Sequence, residues 1–346
     1  MNRPVDHVDE LTPTWLSHAL GVGVAAVATE PIGHGQIGEN HRLFLTYEAG
    51  PGTGPPTLVA KFGAGTDRSI VAGGYRKEVA FYRDFAATVA VRTPGCHHAA
   101  RNDDGSVFTL LLDDLAPAEP GDQLAGCGPA RARAAVVNLA GLHGPRWGDP
   151  ALFDHPELEG VDPEGAAFLG DIFDGAVTTF VDRYRADLDG GVEPLLRRVA
   201  GAIPSWITAQ PERFTLLHGD YRLDNLLFAP GGDGGVHAVD WQTLTVGHPG
   251  RDLAYFCETS LEPEVRRAHQ DDLVASYSEA LAGHGVAPGT VGLDDLRLGT
   301  LQGPLITVLG AVYATAERSE RADAMFLTML RRSLAAIEDL DPFALV

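Results

Sequence analysis

Leu216-Leu-His-Gly-Asp-Tyr-Arg-Leu-Asp-Asn-Leu-Leu-Phe228 holds a polar loop between two short apolar runs. Twelve residues further on, Val236-His-Ala-Val-Asp240-Trp-Gln places another carboxylate at the end of an apolar run. Burial of the flanking runs fixes the ends of the loop, so His218, Asp220 and Asn225, spaced His-x-Asp-x4-Asn, are presented at set positions. A lone Asp or Asn in a loop is usually a turn residue that satisfies backbone amides through its own side chain. That reading suits Asp224. For Asp220, Asn225 and Asp240 the joint spacing favours chemistry over turn formation.

Two carboxylates and an amide oxygen of this kind suit phosphoryl transfer, which needs positioning and charge neutralisation more than covalent help. Magnesium takes hard oxygen ligands and is usually held by one or two carboxylates together with phosphate oxygens. Asp240 and the amide oxygen of Asn225 are such ligands. Asp220 is then left to accept the proton of an acceptor hydroxyl. His218 is expected to order the loop rather than to react.

The segment resembles the catalytic loop of the aminoglycoside phosphotransferase and choline kinase superfamily, relatives of the protein kinases. The resemblance implies that Asp220 is the catalytic Asp, that Asn225 binds magnesium, and that Asp240 stands where protein kinases have the Asp of Asp-Phe-Gly. Asp240-Trp241-Gln242 departs from Asp-Phe-Gly and is closer to the element of the ecdysteroid-kinase-like (CHK) members. Gly247-His-Pro-Gly-Arg-Asp252-Leu-Ala is similar to the stretch that follows in the family, which implies that Asp252 caps a helix and braces the loop. The implied reaction moves the γ-phosphoryl group of ATP or GTP, with Mg2+, to a hydroxyl of a small organic acceptor. Aminoglycosides, choline-like amines, sugars and steroid-like alcohols are all consistent acceptors.

Gly33-His-Gly35-Gln-Ile-Gly38 fits Gly-x-Gly-x-x-Gly and lies between two predicted strands. Glycines let a backbone turn lie against phosphates without a clashing side chain. A dinucleotide-binding turn would be followed by a helix, whereas Leu43-Phe-Leu-Thr-Tyr47 reads as a strand, which favours a kinase-type hairpin. Lys61 is the only lysine among the first 76 residues and ends an apolar strand. The resemblance makes it the lysine that contacts the α- and β-phosphates, with Glu78 on the next helix as its partner. The same fold would set the adenine against Val107 to Leu112, bonded to backbone groups of Asp113 to Leu115.

Around these motifs, β-branched and apolar runs (Val24 to Ile32, Leu43 to Tyr47, Leu58 to Phe62) alternate with Gly- and Pro-rich breaks, the pattern of antiparallel strands. Thr12-Pro13 reads as a helix start. A helix is expected over Gly74 to Ala87 and a strand over Val107 to Leu112. Helices then dominate: Pro129 to His143, Glu164 to Asp187, Val192 to Ala209, and most of Val265 to Leu340. Strands first and helices after predict an α+β, protein-kinase-like two-lobed fold. The expected parts are a nucleotide-binding lobe over 1–113, a hinge over 114–116, and a helical lobe over 117–346 carrying the catalytic loop and acceptor site. The acceptor pocket is expected near the start of Pro117 to Gln123 and parts of Tyr255 to Glu258 and Tyr313 to Arg318. His97-His98 reads as loop polarity, since no third ligand follows at metal spacing.

The 47 acidic and 26 basic residues give a net charge of -21, which repels nucleic acids and anionic membranes and leans toward a cationic or neutral acceptor. Three widely separated cysteines and an N-terminus without an apolar core fit a reducing cytoplasm. Two other readings compete. A catalytically silent nucleotide- or partner-binding module usually lacks a catalytic Asp or Lys, and none is missing. A protein kinase would carry a long activation segment, whereas Asp252 follows Asp240 within twelve residues.

Overall fold

The computed structural model describes residues 3–33, 38–63, 71–158, 160–231, 235–314 and 319–346. The chain forms two compact units. The first comprises Met1–Ala87, Thr93–Pro117 and Val239–Leu244; the second comprises Thr88–Arg92, Ala118–Ala238 and Thr245–Val346.

In the first unit, helix α1 (Pro13–Leu20) starts where Thr12 Oγ1 accepts the Trp15 N–H and ends at Gly21, whose φ of 69° is left-handed. Strands β1 (Val24–Ile32), β2 (Gly38–Tyr47) and β3 (Thr57–Gly63) follow, then helix α2 (Ala72–Ala80), then β4 (Cys96–Arg101) and β5 (Phe108–Asp113). They form a sheet in the order β1-β2-β3-β5-β4 with every pairing antiparallel. Leu43, Leu45, Leu58, Ala60, Phe62 and Leu111 line one core with Leu11 and Leu16 of the α1 region.

Helix α2 buries Tyr75, Glu78 and Val79 and continues as a π-helical turn over Phe81–Phe85. The sequence placed His97-His98 in a loop, but both lie in β4, the edge strand beside β5. An edge strand tolerates polar side chains, so alternation of apolar residues, the usual strand signal, is missing here.

In the second unit, β6 (Glu119–Pro120) precedes helices α3 (Pro129–His143), α4 (Pro163–Tyr184) and α5 (Val192–Ile207). Short strands β7 (Thr215–Leu217), β8 (Leu226–Phe228), β9 (Val236–Ala238) and β10 (Thr245–Gly247) come next. Helices α6 (Gly250–Ser260), α7 (Pro263–Ala282), α8 (Leu293–Gly299), α9 (Gln302–Leu309) and α10 (Glu320–Leu340) complete it. β8 is flanked by β6 and β9, and β7 pairs with β10, so both ends of the 218–225 loop are anchored by antiparallel ladders. A core from α4, α5, α9 and α10, with Phe173, Phe180, Trp206, Phe326 and Met329 among its members, packs against Tyr255 of α6. Among the described residues, no helix is long and apolar enough to cross a membrane.

The sequence drew the boundary by position along the chain. Contacts instead assign Val239–Leu244 to the first unit, although β9 and β10, which flank it in the chain, belong to the second. Two interactions explain this. The Trp241 ring stacks on Phe81 with centroids 3.4 Å apart, and Asp240 Oδ1 lies 3.3 Å from Lys61 Nζ.

Candidate active site

The loop between β7 and β8 is held from beneath by one buried carboxylate. Asp252, in the first turn of α6, accepts the His218 N–H on Oδ2 at 2.7 Å and the Gly219 N–H on Oδ1 at 2.9 Å. Gly219 has φ +82°, a conformation that glycine adopts without penalty and that turns both amides toward one carboxylate. His143 Nε2 lies 3.3 Å from Asp252 Oδ2, and its Nδ1 lies 2.5 Å from the Tyr277 hydroxyl. Burial by itself would raise the Asp252 carboxyl. The hydrogen bond and charge of His143, and the neighbouring His218, outweigh burial and hold it below the usual carboxylate range. His218 is fully buried; its Nδ1 accepts the Asp220 N–H at 3.3 Å, and its ring meets Tyr221 edge-on.

The other side of the loop is tied to distant segments. Gln123, fully buried, accepts the Leu223 N–H at 2.9 Å and donates to the Thr259 carbonyl at 2.7 Å. Its own N–H bonds Asp224 Oδ1 at 3.0 Å, so Asp224 ties the loop to a segment 101 residues away, where the sequence suggested a local turn residue. Arg332 of α10 donates to the carbonyls of Gln123, Thr259 and Leu124. Gln302 links the Gly219 carbonyl to the Arg251 guanidinium, whose pKa burial pulls down to about 10.

On this frame Asp220 has three side-chain partners among the described residues. The Tyr255 hydroxyl donates to Oδ1 at 2.6 Å, and Asn225 Nδ2 donates to Oδ2 at 2.9 Å. Arg222 Nε lies 3.1 Å from Oδ1 and 3.2 Å from Oδ2, while its Nη1 bonds Asp224 Oδ2 at 2.8 Å. Burial would lower the Arg222 pKa, but Asp220, Tyr255 and Asp224 carry it above its ordinary value. Burial and the Asp220 charge push the Tyr255 phenol well up, so it is a donor at neutral pH.

Sequence reasoning missed Arg222 altogether and placed Tyr255 only within a stretch of acceptor pocket. Within those stretches Gln123, Tyr255 and Glu258 are buried, the first two bonded to the loop, whereas Tyr313 is exposed. Burial pushes the Glu258 carboxyl well above its ordinary range. Residues 315–318 of the expected pocket lie outside the described residues.

In the first unit, Lys61 Nζ donates to Glu78 Oε1 at 2.7 Å and to Asp240 Oδ1 at 3.3 Å. Glu78 lies on the buried face of α2, four residues before Tyr82 and three after Tyr75, so its carboxylate is only 1% exposed. Burial works against the charge on Lys61, yet Asp240 and Glu78 together raise its pKa above the ordinary value. Burial also pushes the Glu78 carboxyl up, against the pull of Lys61. Asp240 takes a left-handed φ of 67°, a region that Asp enters more readily than most residues.

Gly33 has φ +73°, and Gly38 begins β2. A Cβ on Gly38 would sit 3.1 Å from Lys61 Cε and 3.1 Å from the Phe62 carbonyl, a tight fit that would ask the lysine stem and the strand to give slightly. Gly35 lies outside the described residues. The Asp113 N–H donates to the Gly95 carbonyl, and its carboxylate meets the Gly95 N–H and His97. Leu115 follows Asp114, whose carboxylate is gripped by Arg42 through Nε and Nη2 at 2.8 and 3.3 Å.

Residues 31–341 match the family model described as APH, phosphotransferase enzyme family. The chain belongs to this family. Choline kinase from Cryptosporidium parvum superposes with a TM-score of 0.58 at 10% identity, covering 97% of this chain and 96% of that one. A GDP complex of a wild-type aminoglycoside 2'-phosphotransferase gives a TM-score of 0.55 at 16% identity, covering 90% and 94%. The fold is therefore protein-kinase-like and α+β, and the family resemblance read from the sequence holds across nearly the whole chain. Acyl-CoA dehydrogenase family member 10 of Mus musculus is 38% identical over 101 residues, 29% of this chain and 9% of that protein. The chain thus spans about a tenth of the length of the curated relatives that it matches.

Proposed function

We propose that this phosphotransferase is a small-molecule kinase that moves the γ-phosphoryl group of ATP or GTP to a hydroxyl of a small organic acceptor. The observation that carries the reading is the hold on Asp220: a carboxylate fixed from two sides by Tyr255 and Asn225, on a loop braced by Asp252. Such a carboxylate can take the proton of a hydroxyl and orient its oxygen for attack. His218 and Asp252 keep the loop in place without touching the reacting atoms.

Lys61, held by Glu78, is the proposed cation for the α- and β-phosphates, and Gly33, Gly35 and Gly38 the proposed phosphate-loop glycines. The proposed adenine contacts are backbone groups of Asp113 and Leu115. The Asp113 N–H is already bonded to Gly95, which leaves the Leu115 N–H as the donor to test.

Asn225 and Asp240 are the proposed magnesium ligands, a pairing that rests on their spacing in the sequence and on donor chemistry. The Nδ2 end of Asn225 is committed to Asp220, so the amide offers Oδ1, a hard oxygen. The Asp240 side chain is 41% exposed, which leaves it accessible to an ion. When bound, magnesium would neutralise polyphosphate charge.

Acceptors worth testing include aminoglycosides and choline-like amines, for which two structural neighbours are named, and sugars and sterols. Hydroxylated acyl thioesters join them because the curated relatives are named for acyl-CoA. The experiment is Asp220→Ala. Turnover should vanish while nucleotide affinity, followed with a fluorescent analogue, stays near the parent's. Near-parental turnover in this variant would remove Asp220 from the reaction.

A further inference from the structure

An ionised carboxylate offers about four lone-pair positions, two on each oxygen. All four are taken at Asp220. Tyr255 and Arg222 share Oδ1, and Asn225 and Arg222 share Oδ2. A base whose acceptor positions are full cannot receive a proton until one partner leaves.

The partners differ in how firmly they hold. Tyr255 and Asn225 each make one short bond to one oxygen, at 2.6 and 2.9 Å. Arg222 Nε straddles both oxygens at 3.1 and 3.2 Å, a bifurcated and therefore weaker contact. Arg222 also has a second anchorage, Nη1 on Asp224 Oδ2 at 2.8 Å, and Met325 Sδ lies 3.3 Å from the same nitrogen. It can leave Asp220 without giving up its ion pair. Asp224 is itself fixed by the Gln123 N–H, so the anchor stays put.

We propose that Arg222 is a stopper over the base: it fills the place of the acceptor hydroxyl on Asp220 and withdraws from it, keeping its bond to Asp224, when an acceptor arrives. The inference rests on the reading of Asp220 as base. Its consequence is discrimination against water. In hydrolysis a water oxygen would bond to the γ-phosphorus, its proton would pass to Asp220, and the β–γ bridging P–O bond would break to release nucleoside diphosphate. In transfer the acceptor oxygen takes the place of water. Water makes few contacts with which to offset displacement of Arg222, whereas an acceptor held along its length can do so.

The test is acceptor-independent phosphate release from magnesium ATP and magnesium GTP. Arg222→Met keeps the stem and removes every donor, so release should rise about tenfold, the rate equivalent of one net hydrogen bond. Arg222→Gln places an N–H at the position of Nε and should restore most of the suppression. Arg222→Lys has a carbon there and an ammonium that still reaches Asp224; it should also show the rise, and it serves if the Met variant does not fold. A role confined to stability would lower or leave unchanged the rate of release in every variant, and that result overturns the stopper. If the rise survives in Arg222→Met combined with Asp220→Asn, Arg222 does not act on this carboxylate, and the assignment of the base falls with it. No rise in Arg222→Met or Arg222→Lys, with release in the parent still lost in Asp220→Asn, removes the stopper alone.

Discussion

Replacing Asp252 by Asn tests whether one buried carboxylate holds the 218–225 loop. Asp252 accepts two backbone N–H groups and lies against His143, with its side chain fully buried. An Asn of the same shape keeps one acceptor oxygen and turns an NH2 toward the remaining donor. The change removes one charge-assisted bond, about 1.5–3 kcal/mol, and leaves a buried N–H unpaired, about 1–3 kcal/mol, so the expected loss is roughly 3–5 kcal/mol. For a domain of this size that lowers the melting midpoint by on the order of 10 °C.

The effect has a pH signature. The folded carboxyl titrates below its ordinary value, so its stabilisation is complete above the unfolded carboxylate pKa of about 3.9 and fades as pH falls through the lower folded value. Urea melts of parent and variant should therefore differ by a constant amount from neutral pH down to mildly acidic conditions, and converge below about pH 4. Turnover in the variant should drop about a hundredfold, as expected when a reacting group shifts by around an ångström. A variant that melts with the parent at neutral pH and turns over at its rate would refute the bracing role.

Lys61→Met leaves Glu78 buried without its cation, which costs about 3–5 kcal/mol when the carboxylate stays ionised. Burial already raises the Glu78 carboxyl, so the variant can escape by taking up a proton; its destabilisation should grow as pH rises, and paired thermal melts at acidic and alkaline pH read this directly. Gly219→Ala puts a Cβ at φ +82°, a cost of about 1–2 kcal/mol by urea melt. Its turnover should fall while the affinity for a fluorescent nucleotide is unchanged, because the strain lies next to Asp220.

The parts of the site legible in the sequence are those whose chemistry demands short, fixed spacing. His218, Asp220 and Asn225 announce one another, and Asp252 follows in a recognisable run. Lys61 and Glu78 were found because a lone lysine at a strand end precedes a helix of the right phase. Arg222 lies between Asp220 and Asn225 yet gave no signal, since an arginine in a polar loop is ordinary until its Nε is seen across both oxygens of Asp220.

Gln123 and Arg332 brace the loop through contacts that span 100 and 209 residues, and no local pattern encodes such partners. Strand β4 was missed because an edge strand need not alternate. The stack of Trp241 on Phe81, which ties Asp240 to the first unit, depends on tertiary structure that no local pattern encodes.

The most direct test of the central claim is magnesium-dependent consumption of ATP and GTP in the presence of hydroxylated amines, sugars, sterols and acyl thioesters, with Asp220→Ala alongside. The account predicts consumption that one class of acceptor stimulates, with a phosphorylated product and no stimulation in the variant. Failure of the protein to bind either nucleotide, or stimulation that persists in Asp220→Ala, would contradict it.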